Sequence, residues 1–255
     1  MMCLKPKFLI NLPAVLIVFI AFLSSCKKAE NRNCFKSTGK ESQIEIKLNS
    51  FNKLDVYEHV EYVLIQDSLD KVVIKGGKNL LNKINILVDD FTLIIKNENK
   101  CAFLRTYKNV VQVEIHFTDL NTLNYFGTES LISLNLLKLS LLDLTMKNGS
   151  GTIKLNLDVD QLRANVSSGY GNFILNGSAK YANIQVGSNG FCDAYGLSVT
   201  DSISVVSNTP SPLKINADHV YLRAEIKNGG DIYYIGAPST ILFNQYGNGK
   251  LIDKN

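Results

Sequence analysis

Gly149-Ser150-Gly151, Gly169-Tyr170-Gly171, Gly187-Ser188-Asn189-Gly190, Asn208-Thr209-Pro210-Ser211, Asn228-Gly229-Gly230 and Gly247-Asn248-Gly249 punctuate the second half of the chain. Each turn interrupts an apolar alternation, and a new alternation starts two residues later. The last residues of these turns, Gly151, Gly171, Gly190, Ser211, Gly230 and Gly249, are 20, 19, 21, 19 and 19 residues apart. Such a period marks a solenoid, in which each repeat buries its apolar face against the next. Two residues past each turn stand Ile153, Phe173, Cys192, Leu213, Ile232 and Leu251; four past stand Leu155, Leu175, Ala194, Ile215, Tyr234 and Asp253. The residue between, from Lys154 and Asp193 to Tyr233 and Ile252, must point the other way. The arms arriving at the turns alternate too: Leu162/Ala164/Val166, Ala182/Ile184/Val186, Ile203/Val205, Leu222/Ala224/Ile226 and Leu242. Each rung therefore reads as two short strands and a tight turn, with rungs stacked at about 4.8 Å. The expected fold is all-β: a single-domain β-solenoid, or β-helix, of rungs about 20 residues long, with a divergent N-terminal part.

That N-terminal part is read as further strands from Ile44 on, at 54–57, 62–66, 71–75, 84–88, 92–96 and 110–117. Turn signals separate them, and only 77–83 could hold a helical turn. This half is either a set of divergent coils or a cap. At the other end, 246–252 would leave an open strand edge, an invitation to pair unless the charges of Lys250, Asp253 and Lys254 blunt it.

The first residues are not part of this fold. Lys5 and Lys7 precede an apolar run, 8–23, that ends in Leu23-Ser24-Ser25-Cys26, a secretory signal pattern too short for a confident span. The expected organisation is a lipoprotein signal peptide at 1–25, a polar tether at 26–43 and the solenoid at 44–252. Leu23-Ser24-Ser25-Cys26 resembles the bacterial lipobox. That resemblance implies cleavage before Cys26, lipid on its sulfur and stable anchoring by several acyl chains. Lys27 follows where inner-membrane retention often uses aspartate, which implies an outer-membrane lipoprotein of a Gram-negative bacterium, periplasm-facing or surface-exposed. Loss of Lys5 and Lys7 lowers the formal charge from +4 to about +2, and no basic run exceeds two residues, so nucleic acid is not an expected partner. Cys34 and Cys101 lie in polar surroundings in an oxidising compartment and read as a disulfide, whereas Cys192 reads as a buried free thiol.

A family resemblance covers about 45–250. Phe51-Asn52-Lys53-Leu54-Asp55-Val56 resembles the opening strand of the head GIN domain, described as a putative auto-transporter adhesin domain. Lys78-Asn79-Leu80-Leu81 with Asp89-Asp90-Phe91-Thr92-Leu93-Ile94-Ile95 resembles its second hairpin. Asn97-Glu98-Asn99-Lys100-Cys101 with Arg105-Thr106-Tyr107-Lys108 resembles a polar motif of its lipoprotein branch, and the Gly-x-Gly turns resemble its repeated Gly-Ser-Gly. The resemblance implies a two-sheeted β-helix, an envelope location and an adhesive role, and it adds weight to a Cys34–Cys101 pairing. Two corners depart from it: Glu129 stands where a glycine is expected, and Asn208-Thr209-Pro210-Ser211 replaces a glycine turn.

Catalysis on a solenoid needs functional side chains stacked on neighbouring rungs. The position just after the turns reads Thr152, Asn172, Phe191, Pro212, Asp231 and Lys250, which is neither a carboxylate ladder for glycan hydrolysis nor one for calcium. Asp193 and Asp231 are two rungs apart, and His59, His116 and His219 show no ligand spacing. No nucleophile elbow, phosphate loop or cofactor signature appears. Tyr170, Phe191 and Tyr246 flank turns and are a candidate surface strip for a glycan or protein ligand, set against the plainer role of covering turn backbone; Phe126 is placed likewise. Asp67-Ser68-Leu69 and Asp201-Ser202-Ile203 resemble an O-glycosylation acceptor. The leading expectation is a non-catalytic, lipid-anchored envelope adhesin or scaffold. Its alternatives are a polysaccharide-acting β-helix enzyme and a spacer that self-assembles through its C-terminal edge.

Overall fold

The apolar columns become the interior between two facing sheets. The computed structural model describes residues 37–99 and 110–255. The predicted signal peptide, most of the tether, Cys26, Cys34 and Cys101 lie outside these residues. In chain order the elements are β1 (Glu41–Lys47), β2 (Lys53–Tyr57), β3 (Val60–Gln66), β4 (Lys71–Gly77), the single-turn helix α1 (Lys78–Leu81), β5 (Ile84–Asp89) and β6 (Thr92–Asn97). Then come β7 (Val111–Phe117), β8 (Thr122–Phe126), β9 (Ser130–Ser133), β10 (Leu137–Met146), β11 (Thr152–Val166) and β12 (Asn172–Gly187). The chain closes with β13 (Phe191–Ala194), β14 (Leu197–Asn208), β15 (Leu213–Asn216), β16 (Tyr221–Ile226), β17 (Ile232–Ile235), β18 (Thr240–Gln245) and β19 (Leu251–Asp253). No helix among the described residues is long and apolar enough to cross a membrane.

The outgoing face stacks β3, β9, the start of β11, the start of β12, β13, β15, β17 and β19 in parallel. The incoming face stacks β2, β8, then the ends of β10, β11, β12 and β14, then β16 and β18. Ile153, Phe173, Cys192 and Leu213 are fully buried, as are Ile184, Val205 and Leu222 across from them. Parallel register puts like residues of successive rungs on top of one another, so burial in one rung depends on the next. In the central rungs the stacked pairing also continues between the two faces, where Leu137, Leu157, Gly177 and Leu197 lie in register. Leu157 and Val159 extend the inward alternation of Ile153 and Leu155 and are buried, and the alternation breaks at Asp160 and Gln161, both exposed.

The N-terminal half is both a set of coils and a cap, and its spatial order differs from its chain order. The β2/β3 rung lies between the β6/β7 rung and the β8/β9 rung. After β1, the chain thus enters inside the stack with β2 and β3, steps outward through β4 to β7 to build the end, and returns on the other side of β2/β3 with β8 and β9. Beyond β7, β4 and then β1 add antiparallel strands; beyond β6, β5 does the same. β1 starts at Glu41, earlier than the alternation alone suggests, because Glu41, Ser42 and Gln43 pair with Gly77, Gly76 and Lys75. Helix α1 falls within the predicted stretch and lays Leu80 and Leu81, both buried, beside Phe51 over the end of the core.

The other end is open. The alternation predicts Leu242 inward, but the register sets it opposite Arg223, outward and 43% exposed, and turns Ile241 and Phe243 toward the core. Gln245 follows in that inward column and donates from Nε2 to the carbonyls of Gly247 and Gly249, at 3.2 and 3.0 Å. Asp253 occupies the inward column of the facing strand, and Lys254 Nζ lies 5.0 Å from the Tyr233 ring centre. Polar groups thus enter the inward columns at Gln245 and Asp253, beside Ile241, Phe243 and Leu251, where stacking stops.

The two corners without the expected glycine are held by side chains. Thr209 is fully buried; its hydroxyl donates to the Gly190 carbonyl at 2.9 Å and accepts the Ser211 N–H at 3.1 Å. The Glu129 carboxylate accepts the His59 N–H at 2.6 Å, and its carbonyl accepts the buried Tyr125 hydroxyl at 2.5 Å.

Candidate functional site

A groove opens on the outward columns of the incoming face. Gln161, Tyr181, Ser202, Tyr221 and Thr240 follow one another across β11, β12, β14, β16 and β18. Beside them run Arg163, Asn183, Ser204, Arg223 and Leu242. Large side chains alternate with serine across the rungs, so the serines become a floor and the tyrosines become walls. The resulting groove has a volume of about 330 Å³. Tyr181 and Tyr221 are each 39% exposed, and they sit two rungs apart, about 9.6 Å along the stack. Ser202 and Ser204 are half-buried beneath them.

A break in the repeat shapes this place. The long step from Gly190 to Ser211 coincides with a bulge in β14: Ala179 pairs with Val199, but Tyr181 pairs with Ser202. The extra residue lies at the rim of the groove, where a bulge re-aims the chain and locally ends regular pairing.

Arg163 is 3.3 Å from Asp143 across neighbouring rungs, and both remain exposed. Arg223 has no carboxylate partner among the described residues and is exposed. Lys180 Nζ stands 5.4 Å from the Tyr181 ring centre. Asp160 and Asp201 lie toward the corner beside the tyrosine column, Asp143 stands in the arginine column on the neighbouring rung, and Glu225 follows Arg223 by two residues on the same outward face. The lining is made of phenol, hydroxyl, amide and guanidinium groups over aliphatic residues, with no carboxylate, imidazole or thiol in it. Such a set can stack, hydrogen-bond and hold an anion.

The residues singled out in the sequence fall elsewhere. Tyr170 and Tyr246 are 66% and 73% exposed, at turns four rungs apart. Tyr170 donates its N–H to the Gly149 carbonyl, whereas Tyr246 donates to the Ile226 carbonyl, so the two occupy different places in the turn. Phe191 is half-buried on the outgoing face, 5.7 Å from Lys214 Nζ. The three share one edge of the solenoid but form no continuous strip. Phe126 stacks on Tyr57 at 4.8 Å between ring centres, with Lys96 over the other ring.

The acids and histidines are likewise occupied. Asp193 pairs with Lys214 at 3.0 Å, while Asp231 accepts the Lys250 N–H at 2.8 Å and the Tyr233 hydroxyl at 3.2 Å. These two carboxylates stand in different columns, and Tyr233, in the column of Asp193 and Lys214, is the side chain that reaches Asp231. His59, His116 and His219 contact Glu129, Asp67 and Asp218 at separate points, and no described cluster of His, Cys, Asp and Glu could hold a metal. Burial holds the Cys192 thiol far above its ordinary range, with the charge of Asp193 adding to the shift. The groove escaped sequence reading because its signal is an alternation of size across rungs, visible only once the register of the outward columns is known.

Comparison with known proteins adds a family and a fold. A crystal structure of a putative adhesin from Bacteroides fragilis shares 21% identity, with a TM-score of 0.76, covering 84% of this chain and 97% of that one. A putative adhesin from Parabacteroides distasonis shares 20% identity with a TM-score of 0.64, over 85% and 98% of the two chains. A protein of the same organism described as a putative lipid binding protein shares 20% identity with a TM-score of 0.63, over 85% and 98%. No curated protein matches. The model of the family described as putative auto-transporter adhesin, head GIN domain, matches residues 50–238. That match spans most of the solenoid, from Phe51 in the cap to the corner before β18, and the chain belongs to this family.

Proposed function

We propose that the protein is a lipid-anchored, non-catalytic adhesin of the bacterial envelope that binds through the outward side chains of its incoming face. The observation that carries this reading is the lining of the groove: aromatic, hydroxyl, amide and guanidinium groups over aliphatic residues, a set suited to holding a ligand. Lipid on Cys26 and the polar stretch after it would hold the solenoid at the outer membrane. The disulfide proposed between Cys34 and Cys101 would tie that tether to the solenoid.

Expression of the full chain on cells tests both halves of the proposal. Wild type should acquire a lipid mass at Cys26, stay with the outer-membrane fraction and increase attachment of the cells to a glycan-coated surface. Cys26→Ser should be released from the membrane fraction and lose attachment. Retention of Cys26→Ser in the membrane would contradict the anchor; equal attachment with and without the protein would contradict the adhesin. Protease treatment of intact cells then decides between surface and periplasm.

A second reading rests on the open end. Ile241, Leu242 and Tyr246 are exposed beside the unpaired edges of β18 and β19, which favours pairing with a second copy. Sedimentation of the Cys26→Ser protein should then show a concentration-dependent dimer that Leu242→Lys shifts to monomer. A monomer at all concentrations would dispose of it.

A further inference from the structure

We propose that the groove between Tyr181 and Tyr221 takes an acidic sugar of an oligosaccharide, its ring against a tyrosine and its carboxylate on Arg223; this rests on the adhesin reading above. Two measures support it. Along the stack, the tyrosines are about 9.6 Å apart, enough for one sugar ring between their faces but not for two. Along the strands, the tyrosine column and the arginine column are two residues apart, about 6.6 Å, so a carboxylate on a ring lying against a tyrosine reaches the guanidinium beside it.

The chemistry of the walls selects among ligands. A tyrosine face covers the apolar face of a pyranose and its hydroxyl bonds at the edge. Ser202, Ser204 and Asn183 present donors and acceptors that are half-buried and open to the groove, which suits a ring bearing several hydroxyls. Arg223 supplies a planar fork that matches a carboxylate in two hydrogen bonds, and it is paired with no acid among the described residues. An acyl chain would leave the serine and asparagine groups of the floor unpaired.

The test is titration of the Cys26→Ser chain against a panel of uronate-bearing and sialate-bearing oligosaccharides, their neutral counterparts, and vesicles of phosphatidylglycerol in phosphatidylcholine. The expected result is saturable binding of at least one acidic oligosaccharide over its neutral counterpart. Tyr181→Ser with Tyr221→Ser should weaken it by about tenfold or more, with thermal unfolding unchanged. Arg223→Gln should abolish the preference for the acidic form while leaving residual binding of the neutral one. Binding to none of the acidic sugars, or binding that these variants leave intact, overturns the proposal. Binding to vesicles that Arg223→Gln abolishes, with no sugar bound, overturns it in favour of a lipid surface. If cells still attach to a glycan coat when these variants are expressed, the adhesin reading stands and this groove is not its site.

Discussion

Gly177 and Gly229 do opposite jobs. Gly177 has a φ of +100°, and a Cβ there would lie 2.0 Å from the carbonyl oxygen of Leu157 on the rung beneath. Any side chain meets both left-handed strain and fixed backbone, so Gly177→Ala should cost at least about 1–3 kcal/mol. A Cβ on Gly229 would meet nothing within 4 Å and its φ is not left-handed, so Gly229→Ala should be neutral or stabilising by up to about 1 kcal/mol. Chemical denaturation of the two variants checks the pair. Cys192 gives a second residue-scale prediction. Its buried, protonated thiol should resist alkylation in the folded protein and react on unfolding. Labelling of Cys192 under native conditions would show that the central rungs open readily.

Elements are tied together by charges that set an acid limit. At the β3–β4 turn, the Asp67 carboxyl is held below its ordinary range by the Ser68 N–H and then by His116 on β7, 2.8 Å away. At the corner before β16, Asp218 is lowered by the Ala237 N–H of the next rung and then by His219. A depressed carboxyl contributes stability that is complete above its unfolded pKa, near 3.8, and is lost as pH falls through its lower folded value. Thermal unfolding temperature should therefore drop on acidification below about pH 4, and Asp67→Asn with Asp218→Asn should flatten that drop. Both side chains are exposed, so the change is expected to be small but of this sign. A steeper acid limb in the double variant would contradict the assignment.

For the whole molecule, stability should follow position in the stack. The centre, β11 and β12, has a rung on each side; the N-terminal end is covered by β1, β4, β5 and α1; among the described residues no strand pairs beyond β18 and β19. Hydrogen exchange followed by mass spectrometry should be fastest at 240–253 and slowest at 152–186. Much of this architecture was legible in the sequence. The turn glycines and the columns from Ile153 to Ile232 are local patterns, and stacking needs nothing else to set their register. The placing of β2/β3 between two later rungs was not legible, because it depends on pairing across 40 to 70 residues that no local alternation encodes. Leu242 was misplaced because the last rung, with no neighbour above it, carries apolar residues on both faces. At the site, Tyr170 and Tyr246 look alike in sequence but differ in register, while Tyr181 and Tyr221 become one groove only when Ser202 is set between them.

The most direct test of binding through this face is a crystal structure of the Cys26→Ser protein grown with a saturating acidic oligosaccharide. The account predicts a sugar ring between Tyr181 and Tyr221, over Ser202, with its carboxylate on the Arg223 guanidinium. Density for the sugar at the Tyr170 or Tyr246 corner instead, with the groove empty, would contradict it.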